Sequence, residues 1–153
     1  MVASKSPTGP AAAMFAADRA SSDLGMELLD VGEGTATVRM TVARSMLNGH
    51  LIAHGGYLFM LADTAFACAC NSRGQVTVAA GADISFVAPA AEGDVLVAVA
   101  VERASYGRSG IYDVTVRRGG DVVAEFRGRS RAAGRLAREG RPGGSPGGGR
   151  PGG

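Results

Sequence analysis

Residues 48–72 read NGHLIAHGGYLFMLADTAFACACNS, and this stretch decides the fold. It opens as a loop carrying Asn48, His50 and His54, passes through the pair Gly55-Gly56, and then turns almost wholly apolar. Leu58, Phe59, Met60, Leu61, Phe66 and several alanines leave no polar face, which predicts a helix buried on all sides over 57–70. At ~14 residues the run is too short to span a bilayer. One ionisable group, Asp63, sits in its middle. It lies about two turns beyond Gly56 on nearly the same face. A buried carboxylate is costly unless it is hydrogen-bonded or neutralised. Asp63 is therefore either a structural acid capped by Thr64 or a neighbouring strand, or a working group. In the second case the glycine pair opens the helix and offers free backbone N–H groups to a carbonyl or oxyanion. Asp63 then supplies a base or nucleophile with a raised pKa. Those are the parts of an acyl-transfer site.

Outward from this stretch the chain reads as short strands. Residues 11–22 favour a short helix, and 26–31 a short strand followed by the hairpin signal Gly32-Glu33-Gly34. Across 35–42 Ala36, Val38, Met40 and Val42 alternate with Thr35, Thr37, Arg39 and Thr41, the pattern of a strand with one buried face. Residues 76–87 form a longer strand with Val76, Val78, Ala80, Ala82, Ile84 and Phe86 in phase. Gly81 within it marks a bulge or a close approach by a ligand, and Pro89 ends it. A strand follows Gly93-Asp94 through Val95, Val97, Val99 and Val101. A glycine-bounded turn spans 106–110, and 111–117 with 122–131 form a hairpin about Gly119-Gly120. The short connections favour antiparallel neighbours. Six strands and one long apolar helix make an α+β domain over 11–133, with a curved antiparallel sheet wrapped round the helix. One sheet covers only part of such a helix, so a second copy of the chain is expected on the remainder.

Composition narrows the class. The chain has 153 residues, 46% hydrophobic, with a formal net charge of +2, which suits one domain with a real core and gives no support to nucleic-acid binding. Cys68 and Cys70, two apart on a helix, point to opposite sides and read as reduced core residues of a cytoplasmic protein. No signal peptide and no membrane span are read. Residues 1–10 are expected to be disordered, as is the glycine-, proline- and arginine-rich tail 134–153.

Several separately placed motifs are similar to one family. Asn48-Gly49-His50, His54-Gly55-Gly56 and Leu61-Ala62-Asp63 resemble the signature of hotdog-fold thioesterases of the phenylacetate-degradation (PaaI) branch. The likeness continues through Ile84-Ser85-Phe86 with Pro89-Ala90, Gly93-Asp94, the stretch from Gly107 to Tyr112, and Phe126-Arg127-Gly128. The resemblance implies hydrolysis of (hydroxy)phenylacetyl-CoA or a related aryl or medium-chain acyl-CoA. It also implies a homodimer, commonly a dimer of dimers, with sites shared between chains. Coenzyme A is part of the substrate, and no further cofactor or metal is implied. Gly55 N–H would polarise the thioester carbonyl, Asp63 would activate water or attack directly, Asn48 would position water or carbonyl, and His54 would orient the loop or hydrogen-bond near the thioester. As bland readings, Asn48 makes only a turn and His54 only braces Gly55. Gly56, Gly81, Arg108 and Ser109 are candidate substrate contacts, Arg108 for a phosphate. A Ser or Thr that some relatives carry opposite the acid corresponds to Ala79, so no such helper is expected.

Three other readings stand beside this one. His50, His54 and Asp63 could hold a metal, but HLIAH lacks the glutamate of the zinc-protease pattern. The same fold serves non-catalytic acyl-CoA binding and dehydration of hydroxyacyl thioesters.

Overall fold

The protein is described here by a computed structural model of residues 5–133, so the expectations for residues 1–4 and for the tail 134–153 lie outside the described residues. Two short helices, α1 (Pro10–Ala16) and α2 (Arg19–Asp23), lead into β1 (Glu27–Gly32) and β2 (Thr35–Thr41). A single helical turn, Arg44–Met46, precedes the long helix α3 (Gly55–Cys70). Then come β3 (Thr77–Phe86), β4 (Val95–Tyr106), β5 (Ser109–Arg118) and β6 (Asp121–Ala132). The strands form one sheet in the order β1-β2-β4-β5-β6-β3, and every pairing is antiparallel. The expected α+β architecture is present, with α3 packed across the sheet.

Alternation explains the core. Ala36, Val38 and Met40 of β2 and Leu96, Ala98 and Ala100 of β4 are buried, so small and large side chains interleave beneath α3. In β4 the valines Val95, Val99 and Val101 take the outer face, and the alanines between them bring the sheet close to the helix. Phe66 of α3 meets Tyr112 edge-on at 5.5 Å and tilts against Phe126 at 5.9 Å. Gly128 makes this possible: a Cβ there would lie 2.7 Å from the Phe66 ring. Buried Asn71 ends the helix by donating to the carbonyls of Ala67 and Thr77 and accepting from Thr77 N–H, which ties α3 to the start of β3.

Two expectations change. The helix over 11–22 is broken, because Asp18 accepts from Ser21 N–H at 3.0 Å and so caps a second helix. In β3 the single phase over 76–86 is lost, since a bulge between Ala79 and Gly81 shifts the register. Ala82 and Ile84 pack on the core while Val76 and Val78 are exposed. β3 is an edge strand, and along α3 Gly56, Phe59, Met60, Asp63 and Ala67 follow one another outside the buried set, only partly covered by the chain itself. Cys68 and Cys70 are buried, unbridged thiols, and burial pushes both up to about 12. No helix among the described residues is long and apolar enough to cross a membrane.

Candidate functional site

The loop before α3 is built on Asn48. Its backbone N–H donates to the Ile52 carbonyl at 2.8 Å. Its side-chain oxygen accepts from His50 N–H at 2.9 Å and from Ile52 N–H at 3.4 Å. The turn-making reading of Asn48 is thus satisfied by its oxygen, while its amide NH₂ has no partner among the described residues. The loop is pinned to the body by Ala53 N–H on the Ala90 carbonyl (2.7 Å) and His54 N–H on the Met46 carbonyl (2.8 Å). Leu51 at its tip is 74% exposed with φ of 61°, a left-handed conformation unusual for a leucine. That strain costs about 1–2 kcal/mol, partly offset by the extra unfolded-state entropy a glycine would bring. Leu51→Gly is expected to leave stability level or raise it by up to about 1 kcal/mol in urea unfolding. A loss larger than that would mean the leucine buries itself against a surface outside this chain.

His54 is the N-cap of α3. Its Nδ1 accepts from Gly56 N–H at 3.1 Å, and its carbonyl accepts from Tyr57 N–H at 3.0 Å. A helix start leaves its first N–H groups unpaired. Two of them are consumed here, whereas Gly55 N–H has no partner among the described residues. Gly56, expected to touch substrate, therefore offers no free donor, and the free one belongs to Gly55.

Gly55 and Asn48 line one pocket of about 490 Å³ with Ile52, Leu58, Phe86 and Pro89. Apart from Asn48 its side chains are apolar. Phe86 reaches across from β3 and lies on Gly55: a Cβ at position 55 would stand 2.7 Å from the ring tip. Pro89 is held in place because Arg118 donates to its carbonyl at 2.9 Å and pairs with Asp94 at 3.1 Å. Asp94 also accepts from Ala91 N–H, and the two contacts hold its carboxyl below the ordinary value.

Asp63 lies half-buried on the partly covered side of α3, about 12 Å along the helix from Gly55. Its carboxylate makes no hydrogen bond among the described residues, so the structural reading through Thr64 is not realised; the Thr64 hydroxyl pairs with Ser21 instead, at 3.0 Å. Burial, and then the negative charge of Asp18, raise its pKa.

Arg108 and Ser109 stand at the other end of α3. They line a polar cleft of about 120 Å³ with Cys70, Arg73, Tyr112 and Ser130. Arg73 is held by Glu102 at 2.7 Å, and Glu102 also accepts from Tyr112 at 2.8 Å. Arg108 forms no ion pair among the described residues. Gly81 joins neither group: it lies at the β3 bulge with the Arg129 guanidinium 2.8 Å from where a Cβ would sit. Reasoning from sequence missed Phe86, Ile52 and Leu58 as pocket walls. Phe86 belongs to a motif already singled out, but its contact with Gly55 needs the tertiary fold. Among the described residues no three His, Cys, Asp or Glu side chains group together for a metal ion.

The chain is similar to known proteins of one family. The family model of the thioesterase superfamily matches residues 50–125. The chain is 46% identical over 123 residues to the acyl-coenzyme A thioesterase PaaI of Escherichia coli K12, covering 80% of this chain and 88% of that one. The solved structure of the E. coli PaaI protein from the phenylacetic acid degradation operon superposes with a TM-score of 0.80 at 44% identity, over 82% of this chain and 91% of that one. A variant of the phenylacetic acid degradation protein PaaI from Thermus thermophilus gives 0.74 at 36%, over 76% and 100%. With its helix-wrapping sheet, its glycine-opened helix and these relatives, the chain belongs to the hotdog-fold thioesterase superfamily, in its PaaI branch.

Proposed function

We propose that this acyl-CoA thioester hydrolase acts on arylacetyl-CoA or a related aryl or medium-chain acyl-CoA, releasing free acid and coenzyme A. The observation that carries the reading is the Gly55 N–H at the start of α3, which has no partner among the described residues and belongs to a glycine lining an apolar pocket. The thioester oxygen accepts from Gly55 N–H, whose donor strength is reinforced by the helix dipole. Asn48 lines the same pocket, and its amide NH₂ holds the carbonyl or the attacking water. His54 keeps the helix start in shape through its cap on Gly56. Ionised Asp63 takes a proton from water as the oxygen attacks the carbonyl carbon, or attacks that carbon itself to give a mixed anhydride that water then hydrolyses to the free acid. In either route negative charge grows on the carbonyl oxygen at Gly55, the C–S bond breaks, and the coenzyme A thiolate leaves and is protonated. Arg108, with Ser109 beside it, receives a phosphate of coenzyme A, and no other cofactor takes part.

Gly55 and Asp63 of one chain are too far apart to act on one carbonyl. A second copy, antiparallel across the partly covered side of α3 and the exposed edge β3, carries its Asp63 toward the first copy's Gly55. The same rotation brings the Arg108 end of one chain toward the Gly55 end of the other. The working unit is thus a homodimer, pairing further into a dimer of dimers in the cytoplasm, without nucleic-acid or membrane partners. Light scattering at micromolar concentration is expected to give a dimer or larger. A folded, fully active monomer would sink the shared site.

Free-thiol release across a panel of aryl and aliphatic acyl-CoAs tests the activity. Turnover of arylacetyl-CoA above the other members supports the reading; the absence of turnover on every member sinks it.

A further inference from the structure

We propose that Phe86 is the residue by which this site selects its acyl group, and that its ring favours a flat arylacyl group over a straight alkyl chain of similar size. The inference rests on the thioester-hydrolase reading of the Gly55 pocket and assigns its specificity to one side chain.

Phe86 is the last residue of β3, and its backbone is fixed. It pairs with Ala124 of β6, and the next N–H, that of Val87, donates to the Val123 carbonyl at 2.8 Å. Its side chain is not fixed in the same way. The ring is 55% exposed, although it projects over an apolar pocket rather than away from one. The edge nearest Gly55 is so close that the position of an added Cβ is 2.7 Å from Cζ and 3.1 and 3.2 Å from the two Cε atoms. The glycine thus lets an aromatic wall stand directly against the start of α3. Facing walls come from Ile52, Leu58 and Pro89.

A thioester whose oxygen accepts from Gly55 N–H must lay its acyl group along this ring. Any apolar acyl group gains by covering the exposed ring surface. An aryl group gains more, because offset or edge-to-face aromatic contact adds to plain area burial. Of the pocket's lining side chains, Phe86 alone offers a π-face, so the distinction between aryl and alkyl falls on it.

The test compares kcat/KM for phenylacetyl-CoA with that for hexanoyl-CoA in wild type, Phe86→Leu and Phe86→Tyr. The ratio of the two substrates on one preparation cancels any difference in folded fraction. Phe86→Leu keeps apolar bulk and loses the ring, and the aryl-to-alkyl ratio is expected to fall roughly 2- to 10-fold. Phe86→Tyr keeps the ring and is expected to hold the wild-type ratio within about twofold. An unchanged ratio in Phe86→Leu overturns the inference while leaving the hydrolase reading intact. An equal fall in Phe86→Tyr overturns it too, since the ring would not be what matters. Light scattering on the same samples supplies one more outcome. If Phe86→Leu dissociates the assembly with the ratio unchanged, the exposed ring serves an interface between copies, and the selectivity assignment fails. Wild type that turns over neither substrate nor any other acyl-CoA removes the hydrolase reading and the inference together.

Discussion

Asp63→Asn is expected to leave a folded protein whose kcat for acyl-CoA hydrolysis is lower by about 10²–10⁴, the scale of a lost acid–base or nucleophilic group. The carboxylate has no hydrogen-bond partner among the described residues, sits on an apolar helix face, and has its pKa raised first by burial and then by Asp18. Nothing in the chain's own packing calls for a charge there. Stability should therefore respond in the opposite direction from activity. A carboxyl with a folded pKa above its unfolded value of 3.8 binds its proton more tightly in the native state. In acid below that value it is protonated in both states and costs nothing. As pH rises from the unfolded toward the folded value, the native state keeps a proton that the unfolded state has released, and stability falls. Above both values the penalty is complete. Asp63→Asn should thus raise the Tm at neutral pH, with the gain fading below about pH 4. The same shift places the acid limb of the wild-type kcat/KM profile above the ordinary aspartate range, because only the ionised form can act. Stopped-time thiol release and thermal melts across pH check both. A kcat within about threefold of wild type would remove Asp63 from the chemistry.

Gly55→Val is expected to lower kcat/KM by at least about 10², comparable to the loss of one oxyanion donor. The N–H itself survives the substitution, but a branched side chain then stands where the acyl group and Phe86 meet. The backbone has no objection, since Gly55 is not among the glycines with positive φ. Valine is also a better helix residue than glycine. What must give is the Phe86 ring, 2.7 Å from the new Cβ, and a half-exposed ring can turn into solvent. The gain in helix propensity and the loss of ring contact oppose each other, so the Tm should stay near wild type. The affinity for acyl-CoA falls with kcat, because the crowding acts on the bound substrate as well as the transition state. Gly55→Ala should show the same effect more weakly. A folded Gly55→Val protein with normal turnover would place the oxyanion donor elsewhere. An unfolded one would mean that Phe86 cannot move, and that the glycine serves packing first.

The sequence by itself determined most of the elements and singled out the residues that could carry chemistry. The apolar run after Gly55-Gly56 marked a helix, which the chain buries on most but not all of its surface, and the alternation at Ala36, Val38 and Met40 marked a half-buried strand. The lone carboxylate at Asp63 stood out because its neighbours are apolar. These are local properties of period and polarity, and they need no knowledge of what lies across the fold. The N-terminal helix was misjudged because a cap at Asp18 outweighs the helix propensity of the alanines around it, and the β3 pattern because a one-residue bulge reverses which side chains face in. Only the tertiary structure decided how the site residues are shared out. It put β3 beside β6 at the sheet edge, and so laid Phe86 on Gly55 from far along the chain. Capping by His54 spent the Gly56 N–H and left that of Gly55 without a partner among the described residues. Asn48 and Gly55 came to one end of α3 and Arg108 to the other, with Asp63 between them on a side the sheet only partly covers. Strand order and side-chain contact across the sheet depend on residues distant in sequence, whose packing no local pattern encodes.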